Sequence, residues 1–214
     1  MNKLVEYLIT RSHRHPYYHL KRPNGVTYMY RWWLFGHGTE RDRNDELPGK
    51  PMCNPAVGRF AQWVAQKLFV IRVHHILQSD ADRDLHDHPS WSVSVVLSGG
   101  YWELVPDDIG SRYPFDGLQG WDHRMPAEAD MQVGERCIPR WRGRGAVVLR
   151  RATQRHKIVL PKHKSAWSMF ILGQKSNEWG FYVGFKKVPW REYNSQHSQP
   201  EGRGRLTRSA DYLR

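Results

Sequence analysis

The sequence predicts an all-β sandwich or barrel behind an aromatic, basic N-terminal extension that contains one short helix. Three observations point there. From Leu68 onward the chain falls into short runs rich in β-branched and aromatic residues, glycine and proline separate those runs, and the segment after Asn54 places apolar residues at helical spacing. With 214 residues the expectation is one large domain with additions; 39% hydrophobic residues and 18 glycines place it in the usual apolar range of about 45–50%, enough for a packed core.

The extension covers 1–67. Tyr28, Tyr30, Trp32 and Trp33 form a strand-like run, and 36–50 is polar without periodicity, which predicts a loop. Asn54 before Pro55 is a helix start, and Val57, Phe60, Ala61, Val64 and Leu68 share one face, which predicts a helix over 55–67. The barrel is expected over 68–190, with strands at 69–77, 91–98, 101–105, 146–150, 156–160, 166–172 and 178–185. Residues 106–144, rich in Asp, Gly, Pro and Trp, read as a long insertion, and loops of this length often act as lids. Trp121 and His123 would give such a lid one aromatic and one titratable group, the alternative being a solvated excursion. The polar tail, 191–214, with Gly202, Arg203, Gly204 and Arg205 at its centre, is expected to stay flexible or to dock as an arm.

Composition narrows the function classes. Lys and Arg number 33 against 21 Asp and Glu, a net charge of +12, which suits an anionic partner without naming one. Ten Trp and ten Tyr among so many basic residues fit single-stranded nucleic-acid binding, where bases stack on aromatic rings. Core packing is the competing explanation, because most of these aromatics fall on expected strands. Two cysteines, Cys53 and Cys137, are too few for a disulfide framework or a thiolate zinc site, so a reducing, cytoplasmic setting is expected. No apolar run approaches the 18 or so residues of a membrane span, and no phosphate-binding glycine loop, nucleophile elbow or dinucleotide fingerprint is present.

The chemistry-bearing segment is Asp84-Leu85-His86-Asp87-His88-Pro89. Alternate strand residues share a face, so His86 and His88 can converge on one ion while Asp87 points away as a turn or salt-bridge partner. Gly99-Gly100 reads as a two-residue hairpin turn, pairing Ser98 with Tyr101, Val96 with Glu103 and Ser94 with Val105. Ser92, Ser94, Tyr101 and Glu103 then share a polar face, either a pocket wall or simply a solvated one. Farther along, His156 follows Gly145 by eleven residues. Of the adjacent His74 and His75, only one can face inward, as a hydrogen-bonding neighbour of a site rather than a ligand.

These histidines and their spacing resemble the cupin superfamily, whose motifs are G(X)5HXH(X)3-4E(X)6G and G(X)5PXG(X)2H(X)3N. His86 and His88 match the first motif, with Gly99 or Gly100 as its closing glycine, and Gly145 and His156 match the second. The motif glutamate position falls on Ser92 or Val93, and Arg151, Thr153 and Leu160 replace the second motif's proline, glycine and asparagine. The likeness covers 69–184 and is sharpened by phrases such as Leu97-Ser98-Gly99-Gly100-Tyr101-Trp102-Glu103 and Glu178-Trp179-Gly180-Phe181, which resemble small phage- and prophage-associated cupins.

The resemblance implies a jelly-roll barrel and one divalent metal, Fe, Zn, Mn or Ni, on His86, His88 and His156. Glu103 is either a fourth ligand or a neighbour, and Glu103 or Tyr101 is the candidate for placing a proton. The resemblance carries no reaction; if the chain is an enzyme, a dioxygenase-like one acting on a small or nucleotide-like anion is the expectation, and Arg150, Arg151, Arg155 and Lys157, clustered around His156, are either receptors for that anion or ordinary exposed basic residues beside a strand. The alternative is a non-catalytic phage protein, either a virion component or a nucleic-acid or nucleotide binder, that uses the barrel as scaffold. A homodimer is in keeping with the family.

Overall fold

A computed structural model describes residues 3–12, 17–21, 25–35, 60, 63, 68–80, 84–107 and 137–197. Among these, helix α1 (Lys3–Ser12) precedes β1 (Tyr17–Lys21), β2 (Thr27–Phe35), β3 (Phe69–Ile76), β4 (Leu85–His86), β5 (Ser92–Pro106), β6 (Cys137–Gly143) and β7 (Val147–Arg150). Then come β8 (Lys157–Val159), β9 (Ala166–Gly173), β10 (Gly180–Val183), β11 (Lys186–Pro189) and helix α2 (Trp190–His197). The strands form a curled antiparallel sheet in the order β1-β2-β3-β9-β5-β6, with β7 and β8 also paired to β5, and a smaller sheet β11-β10-β4. The architecture is all-β, of the jelly-roll kind the sequence predicts.

Period-two burial explains which residues face in. In β9, Ala166, Ser168, Phe170 and Leu172 are buried while their neighbours are half-buried. Directly paired residues share a face. The pairs Arg72 with Phe170 and His74 with Ser168 between β3 and β9, and Ser94 with Phe170 and Ser92 with Leu172 between β5 and β9, therefore make one continuous inner surface. It is closed at one end by an apolar cluster of Met29, Ile76, Val96, Tyr101, Ala146, Leu160 and Ala166, drawn from four strands and two connecting segments.

The expected hairpin at Gly99-Gly100 is absent. β5 is one strand of 15 residues: its first half pairs with β9 and β7, its second half with β6 and β8. Gly99 marks the bend. Its φ is 71°, and a Cβ there would lie 2.2 Å from the Ser165 carbonyl oxygen, so the left-handed backbone and the close approach both require glycine. The register against β9 slips by one residue between Val96 and Ser98. A two-residue turn and a one-residue slip reverse side-chain parity alike. Ser92, Ser94, Tyr101 and Glu103 thus do share a face, and all four are buried rather than solvated.

Three other expectations are corrected. Residues 137–143 of the expected insertion are β6, which pairs with β5 from Gly100 to Pro106; alternating sequence there was masked by flanking Pro, Gly and Arg. The N-terminal region is no mere appendage, because β2 pairs with β3 and extends the main sheet. The first residues of the expected tail form α2, whose Tyr193 is buried against Phe181 and donates a hydrogen bond of 2.9 Å to Asp84. Of the helix expected over 55–67, Phe60 and Trp63 are described and both are helical; its other residues, the 36–50 loop, Trp121, His123 and 198–214 lie outside the described residues.

Candidate metal centre

The three histidines arrive at one point from two chain segments. β4 runs between β10 and the residues before β8: His86 pairs with Phe181 on one side, and on the other exchanges both backbone hydrogen bonds with His156, at 3.0 and 2.9 Å. The His88 amide continues the ladder to Ala152 O at 3.1 Å. Alternation then sends His86 and His88 to the inner side and Asp87 to the other. Asp87 is fully buried and accepts from Gly180 N, Asn177 Nδ2 and Lys187 Nζ at 2.9, 2.9 and 2.5 Å, which ties the β10–β11 hairpin to the histidine segment.

One ring nitrogen from each of His86, His88 and His156 falls within 4.8 Å of the others. His88 Nε2 and His156 Nε2 are 2.9 Å apart. That spacing is short enough for both rings to serve one ion, which His86 would complete. In the metal-free state the same two nitrogens can share one proton. Phe170 and Phe181 flank the rings, at 5.6 Å from His88 and 5.9 Å from His86, and the His86 side chain keeps 14% of its surface exposed.

Behind His156 stands Glu103. Its carboxylate is completely buried, receives Arg142 Nε at 2.7 Å and Arg150 Nε at 2.6 Å, and places Oε1 3.0 Å from His156 Nδ1, at an angle poor for a strong hydrogen bond. Burial pushes the Glu103 carboxyl up, but Arg150, His156 and Arg142 together hold it well below the usual carboxylate range. A carboxylate facing Nδ1 favours the tautomer with the proton on Nδ1, which leaves Nε2 free as a lone-pair donor toward His88. Tyr101, the other residue expected to place a proton, is buried in the apolar cluster with its hydroxyl 3.5 Å from Ser94 Oγ.

Electrostatics keep His88 and His156 neutral and ready to ligate. Burial, reinforced by Arg150 and opposed by Glu103, lowers His156 to about 4, and burial with His156 and His86 nearby lowers His88 well below its ordinary value. The unfolded chain therefore binds protons that the folded chain refuses between about 6.5 and about 4. Stability of the metal-free protein is expected to fall as pH drops through that window, by about 3 kcal/mol from His156 alone. Thermal melting from pH 7 to 4 checks it, and a flat profile would mean that His156 is protonated in the fold.

Of the basic residues expected to receive an anion, Arg150 is committed to Glu103, Lys157 is buried, Arg151 is exposed, and Arg155 lies 5.0 Å over the Tyr182 ring. His74 faces inward with its ring 5.0 Å from Phe170, while His75 faces outward, stacked 4.1 Å from Trp167. The sequence reading missed Arg31, Arg72 and Arg142 as inner-face residues. For Arg72 the signal was the one arginine of its strand, at an inward parity position; Arg142 shares its strand with Arg140, so residue type alone did not single it out.

No protein-family model matches this chain, and neither does any curated protein. Solved structures do. The chain is similar to Fe(II)-HppE with an alternative substrate (13% identity, TM-score 0.41, 75% of this chain and 57% of that one). It is also similar to an oxalate decarboxylase from Bacillus subtilis (10%, 0.42, 78% and 29%) and to a cupin-2 domain protein from Shewanella frigidimarina (10%, 0.31, 50% and 71%). The chain thus spans little more than half the length of HppE. These neighbours are cupin-fold proteins, and likeness at this level says nothing of reaction or substrate.

Proposed function

We propose that this protein binds one divalent metal ion through His86, His88 and His156 and acts as a mononuclear, oxygenase-type enzyme on a small anionic molecule. The observation that carries the reading is the convergence of three imidazoles, one of them backed by a buried carboxylate. With no fourth ligand grouped with them among the described residues, three imidazoles leave open positions, and such a set suits Fe(II), Mn(II), Ni(II) or Zn(II). Bound iron would supply the redox chemistry with dioxygen that no side chain here can provide.

The chain's own part is positioning. Glu103 is a positioning residue for His156 rather than a proton donor, since two arginines hold it ionised. Phe170 and Phe181 limit water around the rings, and Tyr101 remains the inner hydroxyl able to hold a proton. Elemental analysis after anaerobic reconstitution, followed by an oxygen-consumption screen against small carboxylates and phosphates, tests the reading. One metal per chain with anion-dependent oxygen uptake is the expected result. Failure to retain any of the four metals would overturn it, and stoichiometric metal without uptake under any condition would leave a binding protein in place of an enzyme.

A further inference from the structure

The inner face carries a charge pattern that the metal reading does not use. Strands β2, β3, β5, β6, β7 and β9 contain a single acidic residue, Glu103. That carboxylate is occupied by Arg142 and Arg150. Two further arginines lie on β2 and β3. Arg31 pairs directly with His74, and Arg72 stands two residues before His74 on the same face and pairs with Phe170. Arg72 and His74 are 3% and 6% exposed, so this is an interior surface of high positive potential and not a solvated rim.

Two buried polar atoms on the same face have no hydrogen-bond partner: Nε2 of His74 and the hydroxyl of Ser92. An orphaned polar atom in a buried position costs about 1–3 kcal/mol unless something else satisfies it. Phe170 links this region to the metal centre, because its ring contacts His74 at 5.0 Å on one side and His88 at 5.6 Å on the other.

We propose that Arg31, Arg72 and His74 form a receptor for a small oxyanion, a carboxylate or phosphate group, held beside the histidine triad across Phe170. This rests on the proposed metal-enzyme reading for its purpose, and supplies the substrate class and the residues that recognise it. A guanidinium has five N–H donors in a planar fork, so each arginine can take a ligand oxygen in addition to its existing contacts. His74 Nε2–H adds a neutral donor that completes a three-sided cradle. The remainder of the ligand is directed over Phe170 toward the exposed edge of His86.

Calorimetric titration of the metal-free full chain with inorganic phosphate, and separately with malonate, tests the receptor apart from the metal. Wild-type protein is expected to bind at least one of them, and the tighter of the two tells which oxyanion chemistry the cradle suits. Arg72→Gln and Arg31→Gln should each weaken that binding about tenfold or more, with Arg72→Lys intermediate because it keeps charge and loses the fork. Zinc uptake of all three variants should match wild type. Absence of binding by either anion, or affinities unchanged in the variants, would overturn the proposal. Anion binding of this pattern in a protein that retains no metal would instead remove the metal reading and leave the receptor standing. Should Arg72→Gln fail to fold, the half-buried Arg31 decides, together with the shift of the His74 ring NMR signals that phosphate should produce in wild type.

Discussion

Glu103→Ala is expected to lower the stability of the fold by about 3–5 kcal/mol, because it removes the buried carboxylate that Arg142 and Arg150 share in the interior. The magnitude follows from asymmetry. A buried ion pair is worth little against an apolar replacement of both partners, but removing one partner leaves the full desolvation cost of the other. Here one carboxylate answers two guanidiniums, so its loss is felt twice. Urea denaturation reads the effect as a lowered midpoint. Glu103→Gln keeps the shape, loses the charge, and should be milder. If that variant folds, its metal affinity should fall by about 10–100-fold through misorientation of His156, with the three-histidine set intact. Unchanged midpoints for both variants would show that the arginines find other counter-charges and that Glu103 is not the centre of the clamp.

The second large effect is expected at the triad. His86→Ala, His88→Ala and His156→Ala should each cost about a hundredfold or more in metal affinity, because two imidazoles hold a divalent ion far less well than three. Competition with a chromogenic chelator measures this directly, and circular dichroism shows whether each variant keeps its sheet. His156→Ala is the most informative of the three. It removes the ligand contributed by the distant segment and at the same time frees Glu103 from its imidazole, so folding is expected to suffer more than in His88→Ala. Full metal retention in folded His156→Ala would place the ion elsewhere and dissolve the triad.

Some of this was legible in the chain. Strand positions such as β3, β9 and the first half of β5 follow from alternation and β-branched content, which are local properties and need no tertiary context. The pairing of His86 with His88 on one face is likewise a consequence of period two. The common polar face of Ser92, Ser94, Tyr101 and Glu103 was read correctly for the wrong topological reason, since turn and slip reverse parity equally. β6 and α2 were missed because their stabilising partners, β5 and the Phe181 cluster, are remote in sequence and their own patterns are weak.

The sequence alone determined that the chain is mainly β, that its two acidic and basic inventories are unequal, and that three histidines stand at cupin-like spacing. Only the tertiary structure decided what Glu103 does. Its carboxylate lies opposite residues that come 39, 47 and 53 positions later in the chain, Arg142, Arg150 and His156. The same holds for Arg31, Arg72 and His74, which become neighbours only when β2 docks on β3. Burial set by long-range pairing, and not residue type, turns an ordinary glutamate into a permanently ionised anchor and ordinary arginines into an interior cationic surface, because removal from water is what makes each charge seek a fixed partner.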